Sequence, residues 1–421
     1  MTIILLAMAE AFDVAVIGAG AAGLMTAIVA ARSAAGRIIA LDGARRLGAK
    51  ILISGGGRCN VTNKAVTEKD FWGGNRNITK QVLRAFPVDA TVSFFRELGV
   101  SLHEEEDGKL FPDTNRAHTV LNALLDEAQR RQIVLAPGSR VTALARDAGG
   151  GFRVDTAAGT TIEARRVVLA TGGMSVPETG SDGTGYALAR LLGHAIVPTT
   201  PALAPLLLEG AAHAALRGVS QRVELDIQAE RDGRTRLAGS LLWTHFGISG
   251  PVVLNASRLW HRAVLERRTV RVTANLAGGR SFESLEEQLL DRAAEPGRAS
   301  VRSVVAEMMP ASVADAVLAG AGVDGGVLLK DFTREARRRL LHAIAHRPLA
   351  IRDSRGFRFA EATAGGVELS EVQPATLESR KCPGLFVVGE VLDVDGRIGG
   401  FNFQWAWATG HVAGQALARK E

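Results

Sequence analysis

Three glycines and one acid mark where this chain could hold a dinucleotide. Gly18, Gly20 and Gly23 stand in the segment Gly18-Ala19-Gly20-Ala21-Ala22-Gly23, and Asp42 follows 19 positions after Gly23. Each part of that spacing has a physical task. The first glycine makes a tight turn, the second lets backbone approach a pyrophosphate, and the third lets helix and strand pack closely. The diphosphate would meet the free N–H groups of a helix opening at Ala21 and Ala22. Asp42 would accept hydrogen bonds from the adenosine ribose.

The elements needed to position these residues are legible. Phe12–Gly18 is a β-branched apolar run, Leu24–Ala31 an alanine-rich helical stretch, and Arg37–Asp42 a second apolar run ending in the acid. Context matters, because Gly320–Gly325 repeats the glycine pattern after a helical stretch and without a following strand and acid. That copy reads as a helix C-cap and turn.

The fingerprint alone does not separate FAD from NAD, and two distant segments argue for FAD. Val141–Arg146, Gly151–Thr156 and Thr160–Leu169 read as a three-stranded meander ending in Ala170-Thr171-Gly172-Gly173. This is the crossover used by flavoproteins with two dinucleotide folds. Much later, Gly384–Glu390 reads as a buried strand ending in Gly389 and Glu390, where such proteins bind the ribityl chain. Gly399-Gly400-Phe401-Asn402 then leads into an apolar helix, Phe403–Ala418. A helix N-terminus at Gly400, Phe401 and Asn402 would favour negative charge on a reduced flavin. Lys50, Val141, Ala170, Thr171 and Gly172 complete the expected FAD contacts on this side of the chain.

Ser54-Gly55-Gly56-Gly57-Arg58-Cys59-Asn60 places three consecutive glycines where an ordinary loop has no need of them. The reading is backbone laid against the flavin or its phosphates, with Ser54, Arg58, Asn60 and Thr62 as polar contacts. Cys59 could face the isoalloxazine, but a buried structural thiol is the better reading. Asp393 and Asp395 either join Glu390 or cap its turn. Trp405 and Trp407 read as core. His245, in the glycine-punctuated turn Thr244–Gly250, is the candidate acid/base or polar anchor for substrate, with a hydrogen-bonded structural histidine as the better reading. The other histidines show no ligand spacing, so no metal is assigned.

At 421 residues, with 47% hydrophobic and 22% charged content, the chain is globular and long enough for two or three domains. Two cysteines, Cys59 and Cys382, leave no disulfide framework or zinc knuckle. The first ten residues lack a basic n-region, Met8 could be the true start, and no apolar run reaches membrane-spanning length, so a cytoplasmic protein is expected. The net charge is +6 and the pI near 9.7. A basic balance suits an anionic cofactor as well as a nucleic acid, and the arginine groups Arg130–Arg131, Arg165–Arg166, Arg267–Arg268 and Arg337–Arg339 are scattered with no aromatic residues interleaved. That pattern argues against a nucleic-acid partner and leaves a small-molecule substrate; nothing in it sets an oligomeric state.

Ile53–Asn63, with its run Ser-Gly-Gly-Gly-Arg-Cys-Asn-Val-Thr-Asn, resembles the signature of the BaiN/YhiN-like flavoproteins (the aminoacetone-oxidase-like FAD family). Four further segments agree in order: Ala170–Gly173 through Pro177 to Gly183, Thr244–Pro251, Thr363–Val367, and Gly389–Gly396 through Gly399 and Gly400 to Gln404–Trp407. The chain departs from the family pattern at Asp42, where Glu is more usual, and at Arg397-Ile398. The resemblance implies an α/β architecture: a discontinuous Rossmann-like FAD domain over residues 1–197 and 355–421, a β-rich insert over 198–278 and 346–354, and a helical insert over 279–345. It implies an FAD-dependent oxidoreductase doing two-electron chemistry at flavin N5. Its substrate would be an amine or amino-ketone, or a hydrophobic steroid-like enone. With no second dinucleotide fingerprint, NAD(P)H would bind transiently, and oxygen is the other possible redox partner. The rival reading, motivated by the high pI, is an FAD-dependent RNA-modifying or RNA-binding protein; a third is a flavin-binding protein without turnover.

Overall fold

The computed structural model describes residues 10–147, 149–231 and 233–419. The reading of the extreme N-terminus as no signal peptide falls on residues outside these. The chain divides into two compact units, Met1–Pro201 with Glu361–Glu421, and Ala202–Ala360.

The first unit is built on a seven-stranded sheet. Glu10–Ile17 lies at its centre, parallel to Ile38–Asp42 on one side and to Thr161–Leu169 on the other. Val14, Ala15 and Val16 are fully buried, as expected of a parallel strand covered on both faces. Val134–Pro137 extends the parallel edge beyond Ile38–Asp42. Thr161–Leu169 changes partner along its length. Its first half pairs antiparallel with Phe152–Thr156, and its second half pairs parallel with Leu385–Val387 from far down the chain. The expected meander and its return strand therefore exist, and the late strand docks beside Thr161–Leu169.

Two helices cover this sheet and pack on each other, Ala21–Arg32 and Phe401–Leu417. Gly410 and Gly414 fall on one face of the later helix, where a Cβ at Gly410 would lie 2.7 Å from the Ala22 carbonyl oxygen. At Gly414 a Cβ would lie 2.6 Å from Val29 Cβ. The two glycines are what lets the last helix approach the first so closely.

The second unit holds an antiparallel seven-stranded sheet whose longest members are Ser220–Ala229 and Gly233–Trp243. Its outermost strands are Arg347–Pro348 and Ile351–Ser354. Two residues joining the opposite edges can span only about 10 Å, so the sheet must curl round on itself. The helix Pro251–Leu265 packs on its inner face, where Gly239 leaves room for Val252. The division differs from the expected three parts in one respect. Helices Phe282–Ala294, Ala311–Ala321 and Arg334–Ala345 do not have a core of their own. Leu285, Val317 and Leu340 share one hydrophobic cluster with Leu225, Trp243 and Val252 of the sheet and its helix. Gly322, with φ +61°, caps Ala311–Ala321, so the second glycine pattern does form a helix end and turn. Among the described residues, no helix is long and apolar enough to cross a membrane.

Candidate functional site

The glycines of the first strand–helix turn divide into those the fold requires and one it does not. Gly18 has φ +104°, and a Cβ there would lie 2.3 Å from the Ala170 carbonyl oxygen. A Cβ at Gly23 would lie 1.8 Å from the Gly18 carbonyl oxygen. Both are demanded by packing. Gly20 has an ordinary φ of −85° and a Cβ there would meet nothing within 4 Å. Its bare backbone answers no need of the protein itself, and it borders open space at the start of Ala21–Arg32. That helix has no side-chain cap, and its first internal bond is made by Leu24 N–H to the Gly20 carbonyl at 2.9 Å. The N–H groups of Ala21, Ala22 and Gly23 thus have no partner inside the helix, an arrangement suited to a diphosphate.

Asp42 ends the strand Ile38–Asp42. Its two carboxylate oxygens accept from the N–H groups of Ala19 and Ala44, each at 2.8 Å. Burial lifts its carboxyl above the usual range, against the opposing pull of the Ala44 and Ala19 hydrogen bonds and the Arg140 charge. Each oxygen keeps lone-pair capacity for a ribose hydroxyl. These residues fit the nucleotide half of FAD.

At the other end, Glu390 is the hub of a compact polar knot. Its Oε2 accepts from Lys50 Nζ at 2.6 Å, and its Oε1 accepts from Ser175 Oγ at 3.0 Å and from Thr363 N–H at 2.8 Å. Lys50 Nζ also donates to Ser175 Oγ at 2.5 Å. Thr363 Oγ1 in turn accepts from Met174 N–H and Ser175 N–H. Gly389 is pinned from the last helix: Trp405 Nε1 donates to its carbonyl, and its N–H donates to Thr409 Oγ1. Next to Ser175, Val176 sits at φ +48°, a costly conformation for a β-branched residue.

The N-terminus of the last helix is held by backbone contact. Gly400 has φ +92°, and a Cβ there would lie 2.5 Å from the Thr62 carbonyl. Asn60 Oδ1 accepts from Gly400 N–H at 3.1 Å, while its amide nitrogen donates to Thr62 O and Leu110 O. Asn402 brackets Gly396, accepting from its N–H and donating to its carbonyl. Gly55, Gly56 and Gly57 all take positive φ, which three glycines can do without strain.

The structure therefore brings together Gly18, Gly20, Ala21, Ala22, Gly23 and Asp42 at one end, and Lys50, Glu390 and Gly389 at the other. Ala170, Thr171 and Gly172 lie on the strand end between them. Gly400, Asn60 and Asn402 interlock around the last helix, and Phe401 is buried beneath it. Arg58 is engaged elsewhere, donating to Glu105 at 2.6 Å and lying over the Phe111 ring. Val141 is buried in its strand. Cys59 is fully buried, and burial pushes its thiol up to about 12, the state of an inert structural thiol. Asp393 and Asp395 are buried. Trp405 and Trp407 are core residues whose indole N–H groups also fasten backbone, at Gly389 and Val61. Ser175 and Thr363 have no site role readable from their own types, although both lie in segments that carry the family resemblance, Ala170–Gly183 and Thr363–Val367.

His245 belongs to the second unit, exposed in the turn before Gly247–Ser249 and edge-on to Phe246 at 5.1 Å. The charge is also divided between the units. Ala202–Ala360 holds 23 Lys and Arg against 17 Asp and Glu, whereas the rest of the chain holds 27 of each. The whole net charge of +6 resides in the second unit.

The chain matches the model described as the HI0933-like protein Rossmann domain over residues 12–416. It is 33% identical to a 3-dehydro-bile acid Δ4,6-reductase of Clostridium scindens, covering 97% of this chain and 99% of that protein. It is 33% identical to a ribosomal RNA dihydrouridine synthase of Escherichia coli, covering 97% and 98%. Among solved structures, an E. coli quinol fumarate reductase chain shares the fold, with a TM-score of 0.51 and 17% identity over 98% of this chain and 70% of that one.

Proposed function

The chain belongs to the HI0933-like family and is an FAD-dependent oxidoreductase, and we propose that it saturates a carbon–carbon double bond conjugated to a carbonyl. The observation that carries this reading is the chemistry common to two relatives with unlike substrates. One name describes a reductase of Δ4,6 bonds in a 3-oxo bile acid, and the other describes conversion of uridine to dihydrouridine in ribosomal RNA. In both, the reduced bond is polarised by a neighbouring carbonyl, so its far carbon accepts hydride and its near carbon takes a proton.

Bound FAD supplies the two-electron hydride chemistry. The chain would hold it through Gly20 and the open N–H groups after it, through Asp42 at the ribose, and through Glu390 and Lys50 along the ribityl chain. Gly55–Gly57 and the N-terminus of the last helix would lie against its ring system. The electron donor in this reading is a transiently bound NAD(P)H, since one dinucleotide fingerprint is already committed to FAD.

Between the two substrate classes, the charge distribution favours RNA. A steroid-like substrate has no use for a net charge of +6 gathered in one unit, whereas a polyanion is drawn to such a surface. The deciding experiment reduces the purified holoprotein anaerobically with NADH or NADPH. A Δ4-3-oxosteroid and unmodified ribosomal RNA are then offered separately. Gain of two hydrogens on a uridine, read by mass spectrometry, supports the RNA reading. Turnover of the steroid alone would assign the enone, and reoxidation by neither would discard the proposed reaction.

A further inference from the structure

In the second unit, the Arg355 guanidinium lies over two aromatic rings that are distant from each other in sequence. Its guanidinium carbon lies 3.3 Å from the Phe359 ring centroid and 4.8 Å from that of Phe246. The cluster is built into the fold. Arg355 N–H donates to the Pro205 carbonyl at 3.0 Å, and Phe359 N–H to the Gly356 carbonyl at 3.1 Å within a single 3-10 turn. His245 adds an exposed ring against Phe246. Phe359 keeps 43% of its surface exposed beside the Arg355 guanidinium, so a planar ligand can reach its ring.

The surroundings indicate what covers it. Arg352 and Arg358, both exposed, flank Arg355 in a stretch whose acid is Asp353. The unit as a whole carries the chain's entire net charge. An open π-face rimmed by arginines matches a strand with stackable bases and an anionic backbone, since aromatic rings carry the bases and cations the phosphates. We infer that Phe359, Arg355 and Phe246 form a stacking platform for an unpaired base of a single-stranded RNA segment. This rests on the RNA reading of the substrate and adds where the strand is gripped. A base that must leave its helix before reduction needs such a surface for itself or its neighbour.

The test measures binding of a fluorescent oligouridine to the FAD-loaded protein by anisotropy over a series of salt concentrations. Phe359→Ala should weaken binding about five- to a hundredfold, the range expected for losing one stacked base. Phe359→Trp should restore it, and Phe359→Leu, which keeps the apolar bulk without the ring, should not. Arg355→Gln should flatten the salt dependence. The flavin absorbance spectrum and melting temperature of each variant report whether it is folded. Equal affinity in Phe359→Ala, Phe359→Leu and wild type would remove the platform while leaving RNA binding intact. A wild-type protein that binds no RNA at low salt would overturn both the platform and the RNA reading.

Discussion

Lys50 Nζ lies 2.6 Å from Glu390 Oε2, tying together residues 340 positions apart at the point where the chain would meet the ribityl end of its cofactor. The pair is partly buried, with side-chain exposures of 27% and 18%, and Ser175 bridges its two members. Charge-assisted bonds of this kind hold shape as well as energy. Glu390→Gln should therefore weaken FAD binding about tenfold or more, and Lys50→Met should do so less, because Ser175 and Thr363 still donate to Glu390. Titration of apoprotein with FAD, followed by flavin fluorescence, reads both. Unchanged affinity in Glu390→Gln would remove this residue from the cofactor site.

The glycine turn offers a cleaner separation of fold from ligand. Gly23→Ala drives a methyl to 1.8 Å from the Gly18 carbonyl and should unfold or severely destabilise the first unit. Gly20→Ala meets nothing within 4 Å, so the apoprotein should melt as wild type does while FAD retention falls. If Gly20→Ala keeps its flavin through purification, the diphosphate does not pass there.

His261 makes the second unit acid-sensitive. Its ring is buried, its Nε2 has no hydrogen-bond partner, and burial pushes it down to about 4, with Asp353 opposing. The folded protein keeps the ring neutral while the unfolded chain protonates it below the ordinary 6.5. Its contribution to stability is complete above that value and is lost as pH falls from 6.5 towards 4, by roughly 3 kcal/mol. Chemical denaturation at pH 7 and pH 4.5 should show this loss in wild type and a smaller one in His261→Phe. An identical acid slope in the two proteins would sink the assignment.

Cys59 and Cys382 are both buried and free. With the Cys59 thiol held protonated by burial up to about 12, a thiol-specific reagent at pH 8 should label neither cysteine in the native protein and both after unfolding. Rapid labelling of native Cys59 would return it to the list of reactive groups.

Much of the first unit could be read along the chain because its signals are local. Gly18, Gly20, Gly23 and Asp42 lie within one strand–helix–strand stretch, and their spacing carries their roles. Glu390 was legible as an acid at a strand end. Its partners were not, because Lys50, Ser175 and Thr363 meet it only through the parallel docking of Leu385–Val387 beside Thr161–Leu169. The platform was hidden for the same reason. Arg355, Phe357, Arg358 and Phe359 are interleaved in one short stretch, but Phe246 comes from a distant segment and reaches Arg355 only in the folded unit. The pI was plain from composition, but its allocation to one unit depends on boundaries at 201 and 361 that no composition shift announces. Asn402 shows a different limit: its position at the helix entry was apparent, whereas its use in bracketing Gly396 depends on a turn geometry that residue types do not specify.

The close seat of the last helix against the first, permitted by Gly410 and Gly414, bears on when this protein can acquire its flavin. Trp405 and Thr409 pin Gly389, and Gly400 closes against Thr62, so the proposed binding surface is assembled from segments far apart in the order of translation. On the ribosome, the glycine turn and Asp42 emerge early but lack their lid. FAD capture must then wait until the C-terminal helix has cleared the exit tunnel, long after the second unit has had time to fold. A nascent chain stalled before residue 401 should carry no flavin. Quality control in the cell would see cofactor loading as a signature that synthesis has passed the helix Phe401–Leu417.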